Sequence, residues 1–385
     1  MKRSQILISA NSLEFLLNYK SQISKKFLKQ GYEIYWNSPI NEISNKKLVL
    51  IPKGIKYNFW NSSRKGIIVF IRMILSYCKF VFKDNSKKTI ISHTVYSNIA
   101  AVFTFYLLRF KDLKIIVFVS GFGPSRIRNS LRIRMLGRIY LMILRFISEN
   151  SNILVVTLNF KDKELVQDFS NSRRVLLLKE AGITEDDFNK GKSSFEKKLL
   201  GYDKKVLSVG FFGRFLLEKG IDDFKLIVRD AYQHNVDINF FIGGSYDKNN
   251  SSSVLIDSLF QKYKNVKIYD YPFYGDFFEN IDILLVPSYR EGHPLYLLRS
   301  MAYGVVPIVY PNPGLSVDII DNYNGIVTKY VHPRSMLSSL IKVNNNRNLL
   351  SQISGNSRYY SSLKFQNQDY RDKNLLKELN EFINY

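Results

Sequence analysis

The residues with the clearest chemistry lie between positions 288 and 307, where the chain reads Ser-Tyr-Arg-Glu-Gly-His-Pro-Leu-Tyr-Leu-Leu-Arg-Ser-Met-Ala-Tyr-Gly-Val-Val-Pro. A lone carboxylate (Glu291), a glycine turn and a helix start follow directly on an apolar strand-type run, the place where open α/β sheets hold ligands. Pro294 suits the first helical position, because its missing N–H would be an orphan there, and Gly304 suits the position just past the end. The first N–H groups of this short helix, near Leu295 and Tyr296, together with its positive end, favour an anion such as a diphosphate beside Glu291. Taken alone, the same pattern also describes a capped surface helix with no ligand.

A second segment adds charge of the opposite sign. Residues 206–212 form an apolar run of strand type, followed by Gly213-Arg214-Phe215-Leu216-Leu217-Glu218-Lys219-Gly220. A glycine for close approach, then Arg and Lys five residues apart, offers two cations to one phosphate-bearing ligand.

The two motifs in order, Gly-Arg-x-x-x-x-Lys-Gly and Glu-Gly-x-Pro-x-x-x-x-x-x-Met-Ala-x-Gly-x-x-Pro, resemble retaining glycosyltransferase family 4, of GT-B fold. The resemblance extends to Ile242-Gly243-Gly244 after a strand, to Asp282 through Ser288, and to Glu180-Ala-Gly-Ile183 followed by Phe188. Specific matching is confined to about the C-terminal half. It implies an α/β protein of two Rossmann-like domains whose parallel sheets face a central cleft. In that reading Arg214, Lys219 and Glu291 are the catalytic residues. Arg214 and Lys219 hold the donor diphosphate and neutralise charge as the sugar leaves, and Glu291 binds sugar hydroxyls. Gly213, Gly243, Ser288, Gly292, His293, Pro294, Leu295 and Arg299 complete the expected donor site. The donor is a nucleotide-diphosphate sugar, a UDP-sugar by expectation, and no metal or other cofactor takes part. The sequence holds no Asp-x-Asp, and four His and one Cys leave little for another metal site.

One position departs from the family pattern. Where a second Glu would accept hydrogen bonds from the ribose hydroxyls, eight residues after the first, this chain has Arg299. A guanidinium has five donors and no acceptor. Arg299 is open to four readings: a further cation near the phosphates, a partner for a negatively charged donor, the mark of a weakened or lost activity, or an ordinary solvent-facing helix arginine.

Composition and charge bound the rest. A chain of 385 residues with 45% hydrophobic residues is expected to form two domains. The single Cys78 makes no internal disulfide and suits a reducing compartment. The basic start Met1-Lys2-Arg3 precedes an apolar stretch too short for a signal peptide and reads as a first strand. The most apolar window, residues 66–82, is cut by Arg72 and Lys79, so no spanning helix is expected. The net charge of +23 is concentrated in residues 1–180, which hold 31 Lys and Arg against 10 Asp and Glu. Such asymmetry suggests an anionic partner. Six arginines between Arg126 and Arg145 alternate with apolar residues, which suits either a helix lying in an anionic lipid interface or one packed with a basic outer face. No helix-turn-helix, zinc-finger or RNP-like pattern supports nucleic acid.

Strand-like runs at residues 5–9, 48–51, 89–92, 114–119, 153–158 and 174–178 alternate with segments of helical period, as in a parallel sheet with crossover helices. The expected organisation is an acceptor domain over 1–185, a Lys-, Ser- and Gly-rich connection over 186–204, a donor domain over 205–364, and a helix over 365–385 that the resemblance places back on the first domain. Gly121, Phe122 and Gly123 after the fourth of these runs, and His93 after the third, are candidates for the acceptor side; Gly-x-Gly permits close backbone approach, and a lone His is more often structural. The whole reading is a glycosyltransferase moving a hexose or N-acetylhexosamine to a lipid-linked or saccharide acceptor with retention of configuration, in capsule, O-antigen or exopolysaccharide synthesis. It would work in the cytoplasm, peripheral to the inner membrane face. Two alternatives stand beside it: a GT-B protein that binds without catalysis, and a nucleotide-sugar epimerase on the same scaffold.

Overall fold

The computed structural model describes residues 4–40, 48–61, 67–110, 112–119, 131–167, 174–178, 183, 185–199, 206–246, 252–270, 274–292, 294–366 and 368–384. The chain divides into two compact units, one of Met1–Lys179 with Tyr370–Tyr385 and one of Glu180–Asp369. Both are α/β, each a Rossmann-like parallel sheet with crossover helices.

The first unit holds seven parallel strands: β1 (Gln5–Ser9), β2 (Glu33–Ile40), β3 (Lys56–Asn61), β4 (Lys88–His93), β5 (Leu113–Val119), β6 (Ile153–Thr157) and β7 (Val175–Leu177). They lie in the order β3-β2-β1-β4-β5-β6-β7. Its central strands are near-continuous apolar runs, as burial on both faces demands. One face carries Leu7, Ile90, Ile115 and Val155 against Met73, Phe80, Phe105 and Leu144; the other carries Ile6, Ile91, Ile116 and Val156 against Leu16, Phe27 and the C-terminal Leu376 and Leu379. The helix Gln368–Asn384 thus fills part of the first unit's core, and Asn380 and Phe382 accept hydrogen bonds from Tyr32 and Lys114.

Three sequence expectations need correction here. Residues 48–51 are not a strand: Leu48–Leu50 is a 3-10 turn, with Val49 82% exposed, so apolar composition without a sheet to bury it misleads. Two strands went unread, β2 and β3, because Asn37, Ser38, Pro39, Asn58 and Lys56 interrupt their apolar pattern. Most of the supposed connection 186–204 is a helix, Glu185–Leu199, which belongs to the second unit. A Cβ at Gly191 would lie 2.3 Å from the Ala302 carbonyl oxygen, so this polar helix packs tightly on the helix Leu295–Ala302. Its buried Lys198 donates to the carbonyls of Phe278, Ile281 and Tyr303 at 2.7, 2.6 and 3.3 Å.

The second unit holds six parallel strands: β8 (Leu207–Arg214), β9 (Ile238–Ser245), β10 (Val266–Asp270), β11 (Ile283–Val286), β12 (Val306–Val309) and β13 (Ile326–Val327), in the order β10-β9-β8-β11-β12-β13. The strand order reverses between β8 and β11, which leaves room at their carboxyl ends.

Of the Arg-rich segment, Arg126 and Arg128 lie outside the described residues. The rest falls in the helix Leu131–Ser148, whose Tyr140, Leu144 and Ile147 are buried. Because Leu379 is fully buried, Leu379→Ala is expected to cost the first unit about 2–5 kcal/mol, measured as a lower urea midpoint.

Candidate functional site

Both charged motifs emerge at the switch point of the second sheet. β8 ends on Gly213 and the exposed Arg214, and the chain then enters a 3-10 turn, Leu217–Lys219. Gly220 ends that turn at φ 75°, and a Cβ there would lie 2.0 Å from the Pro287 carbonyl oxygen. Only glycine serves, because an L side chain meets both a left-handed backbone and a neighbouring strand end. The loop after β11 is fastened to the same turn by Tyr289 N–H, which donates to the Glu218 carbonyl at 3.1 Å. The Ser288 hydroxyl, 1% exposed, donates to the Glu218 and Arg290 carbonyls at 3.4 and 3.2 Å.

A second fastening lies beneath. The Asp223 carboxylate, in the first turn of the helix Ile221–Gln233, accepts from the phenols of Tyr289 at 2.9 Å and Tyr310 at 2.6 Å. Burial first, and then Asp223, pushes both phenols well above their ordinary range, so both stay donors.

These fastenings bring Lys219 and Glu291 together. The ammonium lies 2.6 Å from each carboxylate oxygen, with the side chains 20% and 8% exposed, and the Tyr296 hydroxyl donates to Oε1 at 3.3 Å. Gly314 supports this loop from behind, since a Cβ there would lie 2.0 Å from the Glu291 carbonyl oxygen. Gly292, Pro294 and Leu295 follow as buried residues, and His293 lies outside the described residues. Pro294 stands one place earlier than expected: it is the N-cap, extended at ψ 107°, and the helix begins at Leu295. Gly304 closes the helix as expected, at φ 67° with its N–H donating to the Met301 carbonyl. Arg214 stands at the end of β8, paired in register with Ser245.

Two expected donor residues sit away from this cluster's polar groups. Gly243 lies within β9, where a Cβ would meet the Phe277 ring at 2.8 Å, so it makes room for packed aromatics. Arg299 is 9% exposed, and its Nε lies 3.2 Å from Asp187 Oδ2. It joins its helix to Glu185–Leu199, so this cation is already held by a carboxylate of the fold. Sequence reading missed Asp187, Asp223, Tyr296, Tyr310 and Gly314. The Pro-Asn-Pro-Gly turn at 311–314 was the one local signal for them.

In the first unit the strand order reverses between β1 and β4, and His93 ends β4. His93 is 3% exposed, between the rings of Phe15 and Phe118 at 5.4 and 4.4 Å, and its Nε2 has no hydrogen-bond partner. Burial first, and then the charge of Lys20, depresses its pKa well below 6.5, so it is neutral. Beside it a buried network joins Ser9, Asn37, Ser76, Tyr77 and Ser97. Gly121, Phe122 and Gly123 lie outside the described residues. Among the described residues no group of three or more His, Cys, Asp or Glu is placed to hold a metal ion.

Two expectations test this geometry. Gly220→Ala should cost about 1–3 kcal/mol from its backbone angle alone, read as a lower midpoint in urea denaturation. Arg299→Glu should cost at least about 3 kcal/mol, because it sets two carboxylates against each other in a buried place. The exchanged pair Arg299→Glu with Asp187→Arg should regain part of that loss in a thermal melt.

Part of the chain matches a known family in sequence, and the whole chain matches solved structures in fold. Residues 192–359 match the family model "Glycosyl transferases group 1". The granule-bound starch synthase 1 of Manihot esculenta is 31% identical over 134 residues, 34% of this chain and 22% of the synthase. An N,N'-diacetylbacillosaminyl-diphospho-undecaprenol alpha-1,3-N-acetylgalactosaminyltransferase of Campylobacter jejuni is 24% identical over 329 residues, 82% of each chain. Matches to the first curated relatives, starch and glycogen synthases, span only 19–29% of their length. Among solved structures, the sucrose-phosphate synthase of Thermosynechococcus elongatus superposes with a TM-score of 0.79 at 14% identity, over 99% of both chains. Anabaena HepE in complex with UDP-glucose gives 0.71 at 12% identity, over 98% of this chain and 99% of that one. The chain therefore shares the fold of GT-B glycosyltransferases, and its second unit carries the group 1 sequence pattern.

Proposed function

We propose that the chain is a retaining glycosyltransferase that moves a hexose or N-acetylhexosamine from a UDP-sugar to a lipid-linked or saccharide acceptor, without a metal, in building a surface polysaccharide such as capsule, O-antigen or exopolysaccharide. The observation that carries the reading is the Lys219–Glu291 pair at the β8–β11 switch point, with Arg214 at the end of the same strand. An ammonium has three donors, so Lys219 can divide them between Glu291 and a diphosphate oxygen. Glu291 then presents acceptor lone pairs to the hydroxyls of the sugar.

In the reaction the bond from the anomeric carbon to the diphosphate breaks, and its electron pair leaves with the nucleotide. Lys219 and Arg214 stabilise that developing charge as fixed cations. The acceptor hydroxyl oxygen bonds to the same face of the anomeric carbon, and its proton passes to the departing phosphate oxygen. The name of HepE's bound ligand, UDP-glucose, supports the donor class, and the diphospho-undecaprenol in the name of the Campylobacter relative supports a lipid-linked acceptor. Such an acceptor would place the enzyme on the cytoplasmic side, at the inner face of the membrane.

The test is transfer from UDP-sugars to polyprenyl-diphosphate-linked saccharides, with UDP release and the anomer of the product followed by NMR. Arg214→Ala and Lys219→Ala should each lower kcat/KM by about 10²–10³, and EDTA should leave the rate unchanged. An inverted product overturns retention. Conversion of free donor without acceptor overturns transfer and makes the protein an epimerase.

A further inference from the structure

We propose that the outer face of three neighbouring helices in the first unit docks the protein on an anionic lipid bilayer, deepening the membrane-side placement above and resting on it. The helices are Ile67–Val81, Val95–Leu108 and Leu131–Ser148. All three pack their inner sides on one face of the sheet through Met73, Phe105 and Leu144.

Their outer sides are apolar as well, which a helix solvated on that side does not need. Ile67, Ile71 and Leu75 form a stripe on the first, with Leu75 62% exposed. Phe103 and Leu107 stand out from the second. On the third, Met135, Ile139, Met142 and Phe146 repeat at helical spacing, with Met142 66% and Phe146 65% exposed. Ring contacts join the stripes: Phe70 to Phe103 at 6.4 Å, and Tyr106 to Phe146 at 5.9 Å. One side of the unit therefore presents a continuous apolar surface of the kind that marks an interaction site.

Charge selects the occupant. The three helices contain no Asp or Glu at all, whereas Arg72, Lys79, Arg138 and Arg145 stand on them. Arg72, Lys79 and Arg138 are exposed. A second copy of the same face would bring like charges together across the contact. Anionic head groups complement them, while the apolar side chains enter the boundary between head groups and acyl chains. Among the described residues no helix is long and apolar enough to cross a membrane, so the attachment is lateral.

The experiment is co-sedimentation of the full chain with vesicles of phosphatidylcholine alone and of phosphatidylcholine with phosphatidylglycerol at 3:1. The natural protein should bind the anionic vesicles, less so as salt rises. Leu75→Glu with Met142→Glu should lower that binding by about tenfold or more, and Arg72→Glu with Arg138→Glu should remove the preference for anionic lipid. Both double variants should keep the melting temperature and its shift on adding UDP-sugar, so a failed donor reading (no shift in any form) is separated from a failed docking surface. Equal vesicle binding by natural and variant protein overturns the proposal. So does a dimer of the natural protein in sedimentation that the Leu75 and Met142 changes dissociate, since the face would then belong to a second copy.

Discussion

The hydrogen bond from the Tyr289 amide to the Glu218 carbonyl, with the glycine-only approach of Gly220 to Pro287 beside it, is the constraint on which the second unit's chemistry depends. Two loops separated by some seventy residues of sequence are held as one surface, and each contributes one charge to it. A half-buried ion pair seldom stabilises a fold by much once desolvation is counted. The backbone fastening, with Asp223 and its two phenols underneath, therefore determines where Lys219 and Glu291 stand. The pair follows from the scaffold and does not hold the scaffold together.

Much of this was legible in the sequence, for a local reason. Gly213, Arg214 and Lys219 stand in one short stretch and Glu291 and Gly304 in another, and glycines and strand ends mark such stretches visibly. The parallel sheets were legible wherever strands are near-continuous apolar runs, as in β5 and β6. Legibility failed where identity depends on distant partners. The strand β2 carries Asn37 because a buried network at the carboxyl ends of the sheet needs it, and so its pattern looks broken. Residues 48–51 have strand composition and lack a strand's neighbours. The helix Glu185–Leu199 reads as a linker because its stability comes from Gly191, Lys198 and Asp187, each meeting groups about a hundred residues away.

Arg299 shows the same dependence on a distant partner. From the sequence it is a cation standing where a carboxylate would serve a ribose. In the structure Asp187 engages it within the second unit, and the departure becomes a matter of how two helices are joined. A charge inside the second motif thus serves the scaffold through one partner that no local spacing reveals.

The buried ammonium of Lys198 has a wider consequence. It occupies three main-chain carbonyls at the ends of two helical segments, one of them the helix that follows Glu291. The polar helix that carries it is therefore an obligatory part of the second unit, although its composition suggests a tether. A fragment beginning at residue 205 would retain both charged motifs and still lack the group that completes those carbonyls. A piece that keeps those carbonyls satisfied includes the helix Glu185–Leu199, so its boundary lies ahead of both charged motifs.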